Sequence, residues 1–167
     1  EEDGLLGSQD FADNFLSERD HQIKFVHILE MIGYCKHEAG SQMMPEGLPI
    51  KLSDIGDFLA IISNRDSNSV VSKLSKIAHS YVPDFHVKIL KVYLGLEKLF
   101  PHLLRSDHSP FWAKRLPAMM WTDTSEFRNP NYHSASDLPE TLDYQFLINT
   151  CKLLVLHCLY FVNEQQE

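Results

Sequence analysis

What the sequence has little of narrows the field first. It holds three cysteines, Cys35, Cys151 and Cys158, an odd number with no Cys-x-x-Cys pair. Cys151 and Cys158 fall in one helical stretch and stand about 10 Å apart along its axis. That is too far for a bridge, so free or buried thiols are expected. No cluster of lysine and arginine interleaves with aromatics, and the formal net charge is -8 without a long acidic run. Both features speak against nucleic acid as a partner. The apolar stretch from Leu153 to Val162 is shorter than a membrane span and is interrupted by His157, so a packed helix is expected and no membrane. Internal repeats and low-complexity tracts are missing as well. The chain opens on Glu1-Glu2-Asp3-Gly4, without an initiator methionine or a basic-then-apolar leader. That reads as a domain cut from something longer, with any localisation signal lying upstream.

What is present suits a folded domain. A chain of 167 residues with 44% apolar and 23% charged residues can bury a real core. Leu5 to Leu16 reads as a helix capped by Ser8. Ile23 to Ile32 is apolar and β-branched enough for a strand buried on both faces. A long loop follows over Gly33 to Pro49. Phe58 to Ile62 reads as a second strand, and Ser67 to Tyr81 as a helix with Val70, Val71, Leu74, Ile77 and Ala78 on one face. Val87 to Leu94 is a strand or an irregular segment, His108 to Lys114 a short helix, and Ala118 to Thr122 a buried strand. Asp123 to Pro139 is polar and turn-rich, and Leu142 to Val162 is a long helix. Strands alternating with helices imply an α/β fold, a three-layer αβα sandwich around a mostly parallel mixed sheet.

A few residues stand out chemically. Glu30 sits at the carboxyl end of an apolar strand, the edge where open α/β sheets bind ligands. A carboxylate there must be paired, protonated or metal-bound, because an isolated buried charge is costly. Glu1 and Glu2 are adjacent, so both reach one site only where a strand ends and turns, and Gly4 and Gly7 fit such a turn. His133 lies in a polar loop soon after the Ala118–Thr122 strand, a common place for ligand contacts. The remaining histidines, such as His21, His79 and His102, show no ligand spacing.

Together these segments resemble a known family. Glu1-Glu2-Asp3-Gly4-Leu5-Leu6-Gly7-Ser8 is similar to a signature of the co-catalytic zinc aminopeptidases. So are Leu29-Glu30-Met31-Ile32-Gly33-Tyr34 with Gly40-Ser41-Gln42, and Ser106-Asp107-His108-Ser109-Pro110-Phe111-Trp112. The fullest match runs from Asp123-Thr124 through Arg128-Asn129-Pro130-Asn131-Tyr132-His133 to Asp137-Leu138-Pro139-Glu140-Thr141-Leu142-Asp143. Four motifs in family order cover nearly the whole chain.

The resemblance implies a single partial catalytic domain over residues 1–167, lacking its amino-terminal part. It makes Glu1 the general base, Glu2 and His133 ligands of one zinc, and Glu30 a ligand of the other. Asp107, His108 and Tyr132 would stand behind these ligands or line the substrate pocket. Zinc takes imidazole nitrogen and carboxylate oxygen and keeps a position open for water, whose pKa it lowers. Two ions about 3.5–4 Å apart hold hydroxide and substrate carbonyl together. A peptide with a free amino terminus is the implied substrate. The family supplies two further ligands, a His and a bridging Asp, upstream of the Glu-Glu pair. This chain alone is therefore expected to bind zinc weakly, to be inactive, and to need the upstream half as a partner. Two other activities share the resemblance. One is a non-catalytic interaction domain, as in the transferrin receptors, and the other is a glutaminyl cyclase. Retention of Glu1, Glu2, Glu30 and His133 favours an enzyme over the first, and the Glu-Glu-x-Gly-Leu-Leu-Gly-Ser and Arg-Asn-Pro-x-Tyr-His wording favours the peptidase over the second.

Overall fold

A computed structural model of the chain describes residues 4–15, 23–47, 53–93 and 95–164. In chain order the regular elements are α1 (Leu6–Asp10), β1 (Val26–Leu29), β2 (Phe58–Ser63), α2 (Asn68–Tyr81), β3 (His86–Lys91), α3 (Leu96–Leu99), α4 (Ser109–Ala113), β4 (Ala118–Thr122) and α5 (Tyr144–Glu164). The four strands form one sheet in the order β1-β4-β2-β3. β1 runs parallel to β4 and β2 parallel to β3, while β2 and β4 are antiparallel. The fold is α/β with a mixed sheet.

The period-two alternation of a strand sorts the side chains into two layers. Leu59 and Ile61 of β2 and Met119 and Trp121 of β4 point to one face. There they meet Val70, Val71, Leu74, Ile77 and Ala78 of α2 and Phe146 and Leu153 of α5 in the main core. On the opposite face a smaller cluster joins Ala118 of β4 to Phe111 of α4 and Ala12, with Val26 and Ile28 of β1 against it. Helical layers thus lie on both sides of the sheet.

The polar contacts of the main core carry one notable chain. Trp121 Nε1 donates to His27 Nδ1 at 2.9 Å, His27 Nε2 lies 3.1 Å from His157 Nδ1, and His157 Nε2 lies 3.3 Å from the Val70 carbonyl. An indole N–H only donates and a carbonyl only accepts. The two ends therefore fix both tautomers, with His27 Nε2–H donating to His157 Nδ1 and His157 Nε2–H donating to Val70. Both rings are neutral. Burial, then the neighbouring His157, holds the His27 imidazole down at about 3, and burial lowers His157 too.

Several expectations are refined here. The Ile23–Ile32 run yields only a four-residue strand, half-buried instead of covered on both faces. β1 lies at an edge, and among the described residues only β4 pairs with it. Ser8 is not the cap of the first helix. Leu5, at φ 64, occupies that position, because Gly4 at φ 104 completes the left-handed turn just before it. Ser8 Oγ instead donates back to the Leu5 carbonyl at 3.1 Å. The 86–91 segment is a strand. α5 as a whole, unlike its Leu153–Val162 core, is long and apolar enough to cross a membrane by length and composition. One stripe of it, Phe146, Thr150, Leu153 and His157, is nevertheless buried in the protein. All three cysteines are free.

Candidate metal centre

Because β1 and β4 are parallel, their carboxyl ends lie side by side, and both chains turn there. The Glu30 amide still donates to the Trp121 carbonyl at 2.9 Å, after which Met31 adopts φ 48 and the strand ends. β4 ends likewise at Asp123, followed by Thr124 at φ 78 and Ser125 at φ 49. Left-handed backbone costs a non-glycine residue about 1–2 kcal/mol, and such strain collects at functional sites. Below these two turns, on the sheet face away from the main core, opens a cavity of about 520 Å³. Ala60, Ile62, Met120 and Thr122 form its apolar floor, and Glu30, Ser106, Glu126, Tyr132 and His133 are among the polar groups around it.

The turns are held by buried polar groups. The Asp123 carboxylate accepts from the amides of Gly33 (3.2 Å), Tyr34 (2.8 Å) and Ser125 (3.0 Å), tying the chain after β1 to the chain after β4. Burial pushes its pKa up to about 6 despite those N–H donors and the nearby Arg128. Arg128 is buried in turn. Its Nε donates to Gln42 Oε1 at 2.8 Å, its Nη1 to the Tyr34 carbonyl at 3.3 Å, and its guanidinium lies 4.5 Å from the Phe58 ring centroid. Gln42 Nε2 reaches on to Thr124 Oγ1 at 2.9 Å. The loop that carries His133 is thus anchored at its root.

The sequence candidates are placed as follows. Glu30 is half-buried, and its Oε2 accepts from Ser106 Oγ at 2.8 Å, which orients the carboxylate. His133 is exposed at φ 52, its ring stacked on Tyr132 with centroids 3.8 Å apart and planes at 16°. Arg105 makes an ion pair with Glu126 and approaches the Tyr132 hydroxyl at 3.5 Å. Glu30, Tyr132 and His133 therefore line one cavity. Asp107 and His108 follow Ser106 but are not among the residues lining it. His108 is fully buried, donates from Nε2 to the Leu103 carbonyl at 2.7 Å and packs edge-on against Trp112. Glu1 and Glu2 lie outside the described residues. Ser106, Asp123, Gln42 and Arg128 all fall inside the motif segments, but nothing in their local spacing marks them as supports of the site.

Carboxylate oxygen and imidazole nitrogen are the donors that zinc takes, and Glu30 and His133, which carry one of each, both line the cavity. The described part of the site fits a zinc ion in its chemistry. Residues 1–157 match the model of Peptidase family M28. The uncharacterized protein YfbL of Escherichia coli (strain K12) is 33% identical over 129 residues, 75% of this chain and 38% of that protein. A Legionella pneumophila structure, the LapA aminopeptidase, matches with a TM-score of 0.63 at 21% identity, covering 93% of this chain and 35% of its own. A second LapA structure gives 0.65 at 22% identity, with 95% and 37% covered. At that identity the likeness to LapA is one of fold. The chain spans 35% to 38% of the length of these relatives.

Proposed function

The chain belongs to Peptidase family M28, and from that premise we propose that it carries the carboxy-terminal part of a zinc-dependent aminopeptidase domain. The observation that supports this most is the meeting of Glu30 and His133, far apart in sequence, around one cavity at the carboxyl ends of β1 and β4. Glu30 would hold one zinc, and His133 with Glu2 the other. When bound, zinc acidifies water and polarises the peptide carbonyl. The chain's own residues do the rest. Ser106 fixes the Glu30 carboxylate through its hydroxyl. Asp123 and Arg128 hold the two turns in register, and the stacked Tyr132 ring limits the rotation of His133. The Glu1 carboxylate takes the proton of the attacking water and passes it to the departing amine. The substrate is a peptide whose free amino group reaches the metal centre, with its first side chain over the apolar floor of Ala60, Ile62 and Met120.

With only Glu2, Glu30 and His133 as ligands, this segment alone is proposed to bind zinc weakly and to be inactive, since a catalytic zinc normally has three protein ligands. The test compares the 167-residue chain with a polypeptide extended upstream, in zinc, on a short peptide and its amino-acetylated form. The extended protein should release the first residue of the free peptide only, and His133→Ala should abolish release. Equal cleavage of both peptides would refute the exopeptidase reading. Cyclisation of amino-terminal glutamine without hydrolysis would assign a glutaminyl cyclase instead.

A further inference from the structure

We propose that Cys35, His37 and Asp143 form a zinc-type metal site separate from the cavity. One ligand atom from each lies within 4.8 Å of the other two. None of the three is among the residues lining the cavity.

The backbone brings them together without help from an ion. The chain from Ile32 to His37 belongs to no helix or strand, and it sets the side chains of Cys35 and His37, two positions apart, in contact, Sγ to Nε2. Lys36 between them is pinned by its amide to the Gly56 carbonyl at 2.9 Å. Asp143 comes from the other end of the chain. Its amide donates to the Gly33 carbonyl at 2.8 Å, which docks the start of α5 onto the same segment. Its Oδ1 accepts from the Phe146 amide at 2.8 Å as the helix cap, and a carboxylate has a second oxygen to offer.

Geometry and chemistry select the ion. Around tetrahedral zinc, bonds of about 2.3 Å to sulfur and about 2.0 Å to nitrogen set the two donors about 3.5 Å apart. Cys35 Sγ and His37 Nε2 stand 3.9 Å apart, so that pair needs a contraction of only a few tenths of an ångström, and an Asp143 oxygen lies within 4.8 Å of both. Thiolate, imidazole and carboxylate together suit zinc, cobalt or cadmium and disfavour magnesium and calcium. As the metal–sulfur bond forms, the thiol proton passes to solvent. Three protein donors leave a fourth position for water. An ion there clamps the start of α5 to the segment whose Gly33 and Tyr34 amides hold Asp123, and so stiffens the scaffold of the cavity from behind.

The test uses sulfur as its label. Cys151 and Cys158, both exposed, are first replaced by serine, which leaves Cys35 as the single thiol. Cobalt is then titrated at neutral pH and the sulfur-to-cobalt charge-transfer absorption is read in the near ultraviolet. One equivalent should saturate the band and zinc should displace it. His37→Ala and Asp143→Asn should each weaken binding by at least about tenfold. The asparagine keeps the helix cap, so that loss reports the charge and not the fold. Glu30→Ala and His133→Ala should leave the band unchanged, which separates this site from the cavity and from the proposed activity. Absence of the band, or a band indifferent to His37→Ala and Asp143→Asn, overturns the proposal. Alkylation of Cys35 in the otherwise unaltered double-serine protein gives a second reading. Zinc should slow it about tenfold or more, and an unchanged rate also overturns the site.

Discussion

Replacing His27 by phenylalanine tests the neutral histidine chain and its pH dependence together. The variant keeps an aromatic ring among Phe25, Trp121 and His157 but leaves the Trp121 N–H and His157 Nδ1 without their partner. Each stranded group costs about 1–3 kcal/mol, so at pH 7 the variant should be less stable by about 2–6 kcal/mol. Acid erodes that difference. The folded pKa of His27, about 3, lies below the ordinary value of 6.5. Its stabilisation is therefore fully present above pH 6.5 and is lost as pH falls toward 3, at about 1.4 kcal/mol per pH unit. By pH 5 the loss is about 2 kcal/mol. Asp123 acts in the other direction. Its folded pKa is raised from 3.8 to about 6, so stability rises as pH falls through that window, by about 1 kcal/mol between pH 7 and pH 5. The wild-type curve alone mixes the two, whereas the difference between wild type and variant removes Asp123. Urea unfolding of both proteins at pH 7, 6 and 5 should show the gap narrowing by about 2 kcal/mol. A gap constant across that range would refute the neutral chain.

Three further outcomes follow from the site scaffold. Ser106→Ala removes the hydroxyl that orients the Glu30 carboxylate, and zinc affinity at the cavity should fall about 10–100-fold with little change in unfolding midpoint. Gly56→Ala places a Cβ 2.9 Å from Arg128 Cδ, and the tethered Arg128 side chain has nowhere to retreat. The urea midpoint should drop by the equivalent of about 1–3 kcal/mol, with an unchanged slope. Arg128→Met removes a buried cation that satisfies Gln42 and Tyr34 beside Asp123, and thermal unfolding should report a loss of about 3–5 kcal/mol.

Local pattern carried the parts of the fold whose burial is local. α2 shows its stripe of Val70, Val71, Leu74, Ile77 and Ala78 at helical spacing, and β4 is a continuous apolar run because all five of its residues are buried. Strand order is different, since it depends on which segments meet. The Ile23–Ile32 run has the composition of a strand buried on both faces and yet, among the described residues, it pairs on one side only. Of the site, Glu30 and His133 were legible as chemistry-bearing residues in motif context. Their supports were not, because Ser106, Asp123 and Arg128 act across separations of 76 to 94 positions that no spacing rule reaches. His27 and His157, 130 positions apart, were invisible for the same reason. Cys35, His37 and Asp143 share that property, since the third ligand arrives with α5.

The most direct test of the account is a crystal grown with zinc and measured on either side of the zinc absorption edge. It predicts anomalous peaks in the cavity, one in bonding contact with Glu30 and lost in Glu30→Ala, the other in bonding contact with His133 and lost in His133→Ala. Glu30 and His133 both solvated, with no peak in contact with either at saturating zinc, would contradict the metal-centre reading and leave a non-catalytic domain on the same fold.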